Sequence, residues 1–117
     1  MSSFIHPTAL ISPSAEIESD VTIGALCIIE DNVSIDEGTV IKPYVQIKSN
    51  TSIGKNNTIY QGSILGEVPQ DLKYNGEKTK LIIGDNNTIR EYCTLNIGTD
   101  HLNKTEIGSN CLLMAYV

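Results

Sequence analysis

At 117 residues and a net charge of −6, the chain suits one modest domain and is too short for two ordinary ones. The acidic balance argues against a nucleic-acid surface, which needs clustered Lys and Arg. Trp is absent and Phe occurs once, while 40% of residues are hydrophobic, so the core must be built from aliphatic side chains rather than rings.

The opening stretch MSSFIHPTALISPS has no basic n-region and no continuous apolar run. It reads as neither a signal peptide nor a membrane span. The expected location is therefore the cytoplasm, without integral membrane contact, where the three cysteines stay reduced.

From Ile5 an aliphatic residue recurs at every sixth position without a break, through Ile11, Ile17 and onward to Ile59 and Leu65. The same phase returns at Ile83, Ile89 and Leu95, then at Ile107 and Leu113. Of 17 isoleucines, 13 lie on this phase, against about three by chance. Neither a helix of period 3.6 nor a lone strand of period 2 predicts a strict six; a solenoid of hexapeptides does. Four residues after each aliphatic comes a small, β-branched or short polar residue, such as Ala9, Val21, Cys27, Thr39, Asn57 and Ser63. A second inward position in a tight coil demands that size. The residue directly after the aliphatic is often glycine (Gly24, Gly54, Gly84, Gly108), as expected where the backbone turns and needs positive φ. The pairs Asn56-Asn57 and Asn86-Asn87, in IGKNNT and IGDNNT, read as turn chemistry because Asn tolerates the left-handed region. Three hexads make one triangular coil, each side a short strand stacked about 4.8 Å from the next. The period does not give the hand.

Only Asp71, Glu77 and His101 break the phase. They lie in stretches expected to be loops, near 66–82 and 98–106, within a single β-helix domain covering 1–117. A solenoid places its added chemistry in such insertions, because the coils must keep their core. In the first, Asp71 and Lys73 offer an acceptor and a cation suited to sugar hydroxyls and a charged ligand. The chain stops at Val117, inside the hexad begun by Leu113 and after the apolar run CLLMAYV. A last coil needs a polar cap, so the sequence is expected to be a fragment truncated at its C-terminus. Met1–Phe4 is the expected cap at the other end.

Cys27, Cys93 and Cys111 all fall in the small inward slot and read as packing. With no CxxC pair and only His6 and His101 as histidines, no metal site is expected.

The opening IHPTALISPSAEI, the loop GEVPQDLKYNGEKT, the strand IIGDNNTIRE and the closing LLMAYV resemble the acyl-[acyl carrier protein]–UDP-N-acetylglucosamine O-acyltransferases. The resemblance covers the whole chain. Hexads alone would indicate only a broad acyltransferase superfamily; PQDLKY in register with IGDNNTIRE is much more specific. The resemblance implies an all-β fold, a single-stranded left-handed parallel β-helix of about five coils. It also implies a homotrimer with sites in the clefts between subunits and no cofactor. The implied reaction moves a (R)-3-hydroxyacyl chain from acyl carrier protein to the 3-hydroxyl of UDP-N-acetylglucosamine, the first step of lipid A synthesis. Asp71 and Lys73, with Gln70 beside them, match the family's sugar-nucleotide contacts. The family's general-base His lies beyond Val117, so the chain alone is expected to be inactive. Two features depart from the pattern. Asn96-Ile97 replaces His-Arg before Gly-Thr, and the stretch TDHLNKTEIG is short and lacks a glycine run. The alternatives are another hexapeptide acyltransferase, or an inert β-helix fragment or paralogue that only assembles or binds.

Overall fold

The computed structural model describes residues 3–67, 80–96 and 104–113. Strands β1 (Phe4–Ile5), β2 (Leu10–Ile11) and β3 (Glu16–Ile17) form the first coil, followed by β4 (Thr22–Ile23), β5 (Ile28–Ile29) and β6 (Ser34–Ile35). The third coil holds β7 (Val40–Ile41), β8 (Gln46–Ile47) and β9 (Thr51–Ile53), and the fourth β10 (Thr58–Ile59), β11 (Ile64–Glu67) and β12 (Lys80–Ile83). Then come β13 (Thr88–Ile89), β14 (Thr94–Asn96) and β15 (Lys104–Ile107), with β16 (Leu112–Leu113) opening the next turn. Every third strand pairs in parallel. The result is three sheets: A is β1-β4-β7-β10-β13-β16, B is β2-β5-β8-β11-β14, and C is β3-β6-β9-β12-β15. The register keeps the six-residue phase, with Ile5 beside Ile23, Ile23 beside Ile41 and Ile41 beside Ile59.

Two inward rows make the core. Aliphatics from Ile23 to Ile59 are at most 2% exposed, and the small row two residues earlier, Val21 to Ser63, is equally buried. The polar members of that row satisfy the corners. Thr39 Oγ1 donates to the Gly54 carbonyl (2.8 Å) and accepts from the Asn57 amide (3.3 Å). Asn57 repeats the pattern one coil on: its Nδ2 donates to Gly84 O (2.8 Å) and its Oδ1 accepts from Asn87 N (2.8 Å). Asn87 hands it on to Gly108 O (2.7 Å) and Cys111 N (2.7 Å). Buried corner groups without such partners would carry a full desolvation cost.

Three sequence expectations change. First, positive φ falls three residues after the aliphatic rather than one, Gly66 after Leu65 being the exception. It occurs at Asp20, Asn32, Gly38, Asn50, Asn56, Gly62, Asn86 and Asn110, and also at Leu26, Tyr44 and Tyr92. The glycines after the aliphatic serve stacking instead: a Cβ on Gly24 would lie 2.7 Å from Pro43 N in the next coil. Second, the paired asparagines divide the labour. Asn56 and Asn86 make the left-handed turn, while Asn57 and Asn87 are the buried ladder. Third, Phe4 is an outward strand residue, 60% exposed, so it does not lie over the core of the first coil.

Strand pairing also runs further into the two expected loops than the hexads alone indicate. Gly66 and Glu67 belong to β11, 80–82 to β12 and 104–106 to β15. Leu81 takes the small-row slot two residues before Ile83 and is fully buried, which draws the strand back toward Lys80. Segments 68–79 and 97–103, with Asp71, Glu77 and His101, lie outside the described residues, as do Met1, Ser2 and 114–117.

Candidate functional site

The corner between sheets B and C is unlike the other two. The chain departs from it after β11 and again after β14, and rejoins sheet C at β12 and β15. Departure and return both fall on paired strands. Glu67 is the ladder partner of Asn96, and Lys80 the partner of Lys104. Segments 68–79 and 97–103 are thereby rooted side by side, one coil apart. A solenoid that must keep its core gains a site in this way, by letting successive coils contribute at one corner.

The backbone under this corner is built for the departure. A bulge falls between Leu65 and Glu67, and Gly66 takes φ 85. A side chain there would collide with Thr51 Oγ1 as well, so both conformation and space require glycine. Thr51 occupies the slot that Thr39 fills one corner away, and it is fully buried. Among the described residues its hydroxyl has no hydrogen-bond partner. Buried unpaired polar atoms are rare in well-packed coils and tend to mark strained or functional places. Beside it, Lys48 Nζ lies 3.6 Å from Glu30 Oε2, and the same carboxylate accepts from the Ser49 amide at 3.1 Å. Past the gap, Leu81 N donates to Asn50 O at 3.1 Å and restores the coil.

Gln70, Asp71 and Lys73 fall within 68–79, and His101 within 97–103, all outside the described residues. The structure places the roots of both segments together and describes none of these four side chains. Asn96 is the last residue of β14, and Ile97 lies beyond the described span. Sequence reasoning missed the Thr51–Gly66 contact. The signal was available: Leu65-Gly66 is one more aliphatic-glycine pair, but only the bulge shows that it serves a different purpose.

A groove of about 450 Å³ runs along the outside of sheet C, lined by residues that include Glu16, Glu18, Ser34, Asp36, Ser52 and Ile82. Its ionisable lining is entirely carboxylate, the wrong sign for a diphosphate. His6 lies elsewhere again, at the A–B corner of the first coil, with Nδ1 2.9 Å from Thr8 Oγ1. Cys27 is buried, and burial pushes its thiol above the ordinary 9.0, against the lowering effect of nearby backbone amides. It is a packing thiol.

No family model matches the chain. Individual relatives do. An acyl-[acyl-carrier-protein]–UDP-N-acetylglucosamine O-acyltransferase of Saccharophagus degradans is 53% identical over 97% of this chain, which covers 45% of that protein. One from Psychrobacter is 55% identical over 94% of this chain and 43% of its own length. The crystal structure of LpxA from Acinetobacter baumannii superposes with a TM-score of 0.94 at 52% identity, over 96% of this chain and 44% of that one. The chain thus spans under half the length of the relatives it matches. The shared fold is a left-handed parallel β-helix. With similarity running across nearly every coil and both departures from the hexad phase, the chain belongs to the acyl-[acyl-carrier-protein]–UDP-N-acetylglucosamine O-acyltransferase family.

Proposed function

We propose that this chain, acting as one β-helix domain, forms the sugar-nucleotide part of an acyltransferase. The enzyme would move a (R)-3-hydroxyacyl chain from acyl carrier protein to the 3-hydroxyl of UDP-N-acetylglucosamine, opening lipid A synthesis. The observation that carries this reading is the B–C corner, where two segments leave from and return to paired strands one coil apart, the first bearing Gln70, Asp71 and Lys73. Lys73 supplies a cation for the diphosphate, and Asp71 and Gln70 supply acceptors and donors for sugar hydroxyls and amide. In the reaction the sugar oxygen attacks the thioester carbonyl and the carrier's thiolate leaves. A general base takes the hydroxyl proton and returns it to the sulfur. Imidazole suits that task near neutral pH. His6 is tied to Thr8 at another corner, and the family resemblance assigns the base to a histidine outside these 117 residues. The functional unit is a homotrimer in the cytoplasm, where cysteines stay reduced.

Calorimetry with UDP-N-acetylglucosamine and an acyl-transfer assay with hydroxyacyl carrier protein test this together. The expected result is nucleotide-sugar binding without turnover, with binding lost at least tenfold in Asp71→Ala and Lys73→Ala. Unchanged affinity in both variants would sink the site. Turnover well above a no-protein control would sink the external base.

A further inference from the structure

We propose that Thr51 and Gly66 form a two-register latch at the root of β11, with Thr51 the positioning residue that decides which register the strand takes. The link to ligand rests on the sugar-nucleotide reading above; the latch itself does not.

Polar residues of the inward row follow one rule at the other two corners. Each accepts from the amide of the inward residue one coil on and donates to the carbonyl of the residue after the next coil's aliphatic. Thr39 does so with Asn57 N and Gly54 O, and Ser63 with Cys93 N (3.2 Å) and Arg90 O (2.8 Å). Asn57 does so with Asn87 N and Gly84 O, and Asn87 with Cys111 N and Gly108 O. Thr51 pairs with Leu81 in the ladder, so by the same rule it accepts from Leu81 N and donates to Gly66 O. It does neither. The residue is fully buried, and among the described residues its hydroxyl has no partner.

Both groups it should meet are engaged otherwise. Leu81 N donates to Asn50 O at 3.1 Å. Gly66 stands at the bulge where sheet B slips by one residue: Leu65 faces Leu95, but Glu67 rather than Gly66 faces Asn96. Its φ is 85, whereas Gly24, Gly54 and Gly84, in the same position after their aliphatics, have no positive φ. Gly54 and Gly84 are also the residues whose carbonyls are held by an inward side chain.

A second register is therefore open to the same backbone. With Gly66 in the conformation of Gly54, it would pair with Asn96, bring its carbonyl to Thr51 Oγ1 and complete the rung. The register seen here keeps residue 67 on Asn96 and leaves a buried hydroxyl unsatisfied, which is costly. Each register gives up something the other regains, as a two-state element requires. Glycine is needed at 66 for the bulged one, since a Cβ there would meet Thr51 Oγ1 and disfavour positive φ. The latch sets which residue, 66 or 67, is the last to pair before the chain departs. The bulged register is the binding one, because strain and unpaired polar groups persist where function holds them.

Relaxation-dispersion NMR on the amides of residues 64–67 and 94–96 tests the latch in the full chain. The wild type should exchange between two registers on the microsecond–millisecond scale. Thr51→Val removes the hydroxyl at nearly constant shape, so exchange should vanish and the shifts of the bulged register remain. Thr51→Ser should restore the exchange, and Gly66→Ala should move the same amides the opposite way. In urea, Thr51→Val should raise the unfolding midpoint by deleting an unsatisfied group, whereas Thr39→Val, which deletes two bonds, should lower it. The latch is overturned by a wild type without exchange, by exchange that survives Thr51→Val, or by a midpoint that falls equally in both valine variants. Titration with UDP-N-acetylglucosamine tests the link to the site. Thr51→Val should bind at least as tightly as wild type, while Gly66→Ala loses about tenfold, in step with its binding-competent fraction. Weaker binding by Thr51→Val would overturn the link. Absence of binding in every form, wild type included, would remove the sugar-nucleotide reading while the NMR still decides the latch.

Discussion

Asn57 shows how much a single inward side chain can do in this fold. It links three coils, accepting from Asn87 N and donating to Gly84 O, with its own amide held by Thr39 Oγ1. Asn57→Ala strands a buried donor and a buried acceptor, at about 1–3 kcal/mol each. Urea unfolding should show a lower midpoint with an unchanged m-value. An unaltered midpoint would mean that water serves these groups equally well. Its neighbour Asn56 looks the same in sequence, yet faces solvent in the left-handed region. The six-residue phase separates the two, because only one of them falls on the inward row. Cys27 belongs to that row too. Its raised pKa favours the thiol in the folded state, so the stability it adds is fully present below the unfolded value near 9.0 and is lost as pH rises through the higher folded value. The stability gap between wild type and Cys27→Ala should therefore shrink in alkaline solution. Native Cys27 should also resist alkylation that proceeds readily in urea.

Among the elements, β11 and β12 were the least legible. Elsewhere the hexad phase places each two-residue strand without ambiguity, since alternation puts one residue out and the aliphatic in. Between Leu65 and Ile83 the phase meets Asp71 and Glu77, and nothing in the period says where pairing stops. The answer came from two residues: Gly66, whose φ and contact with Thr51 mark the departure, and Leu81, whose burial marks the return. Gly24 and Gly66 make a useful contrast. Gly24→Ala meets the backbone of the next coil, while Gly66→Ala disturbs the root of 68–79. Each should cost about 1–3 kcal/mol by overpacking, but only Gly66→Ala should weaken UDP-N-acetylglucosamine binding beyond its effect on stability. Equal affinity loss in the two variants would show that the root has no special role.

At the scale of the whole molecule, the triangular cross-section assigns each corner a task. The C–A corner is rich in carboxylates, the A–B corner holds Leu26, Tyr44 and Tyr92 in the left-handed region, and the B–C corner lets the chain out twice. The coils were legible in the sequence because one repeated side chain fills a narrow core. The candidate site was legible only as a place, through the broken phase at Asp71, Glu77 and His101, whose side chains lie outside the described residues. Binding chemistry in those segments depends on side-chain positions that no period encodes. Hydrogen-exchange mass spectrometry with and without UDP-N-acetylglucosamine tests the B–C corner as the substrate site most directly. Exchange should slow in peptides spanning 64–83 and 94–107 and stay unchanged along the outer face of sheet C. Protection confined to the Glu16, Ser34 and Asp36 groove, or protection nowhere, would contradict it.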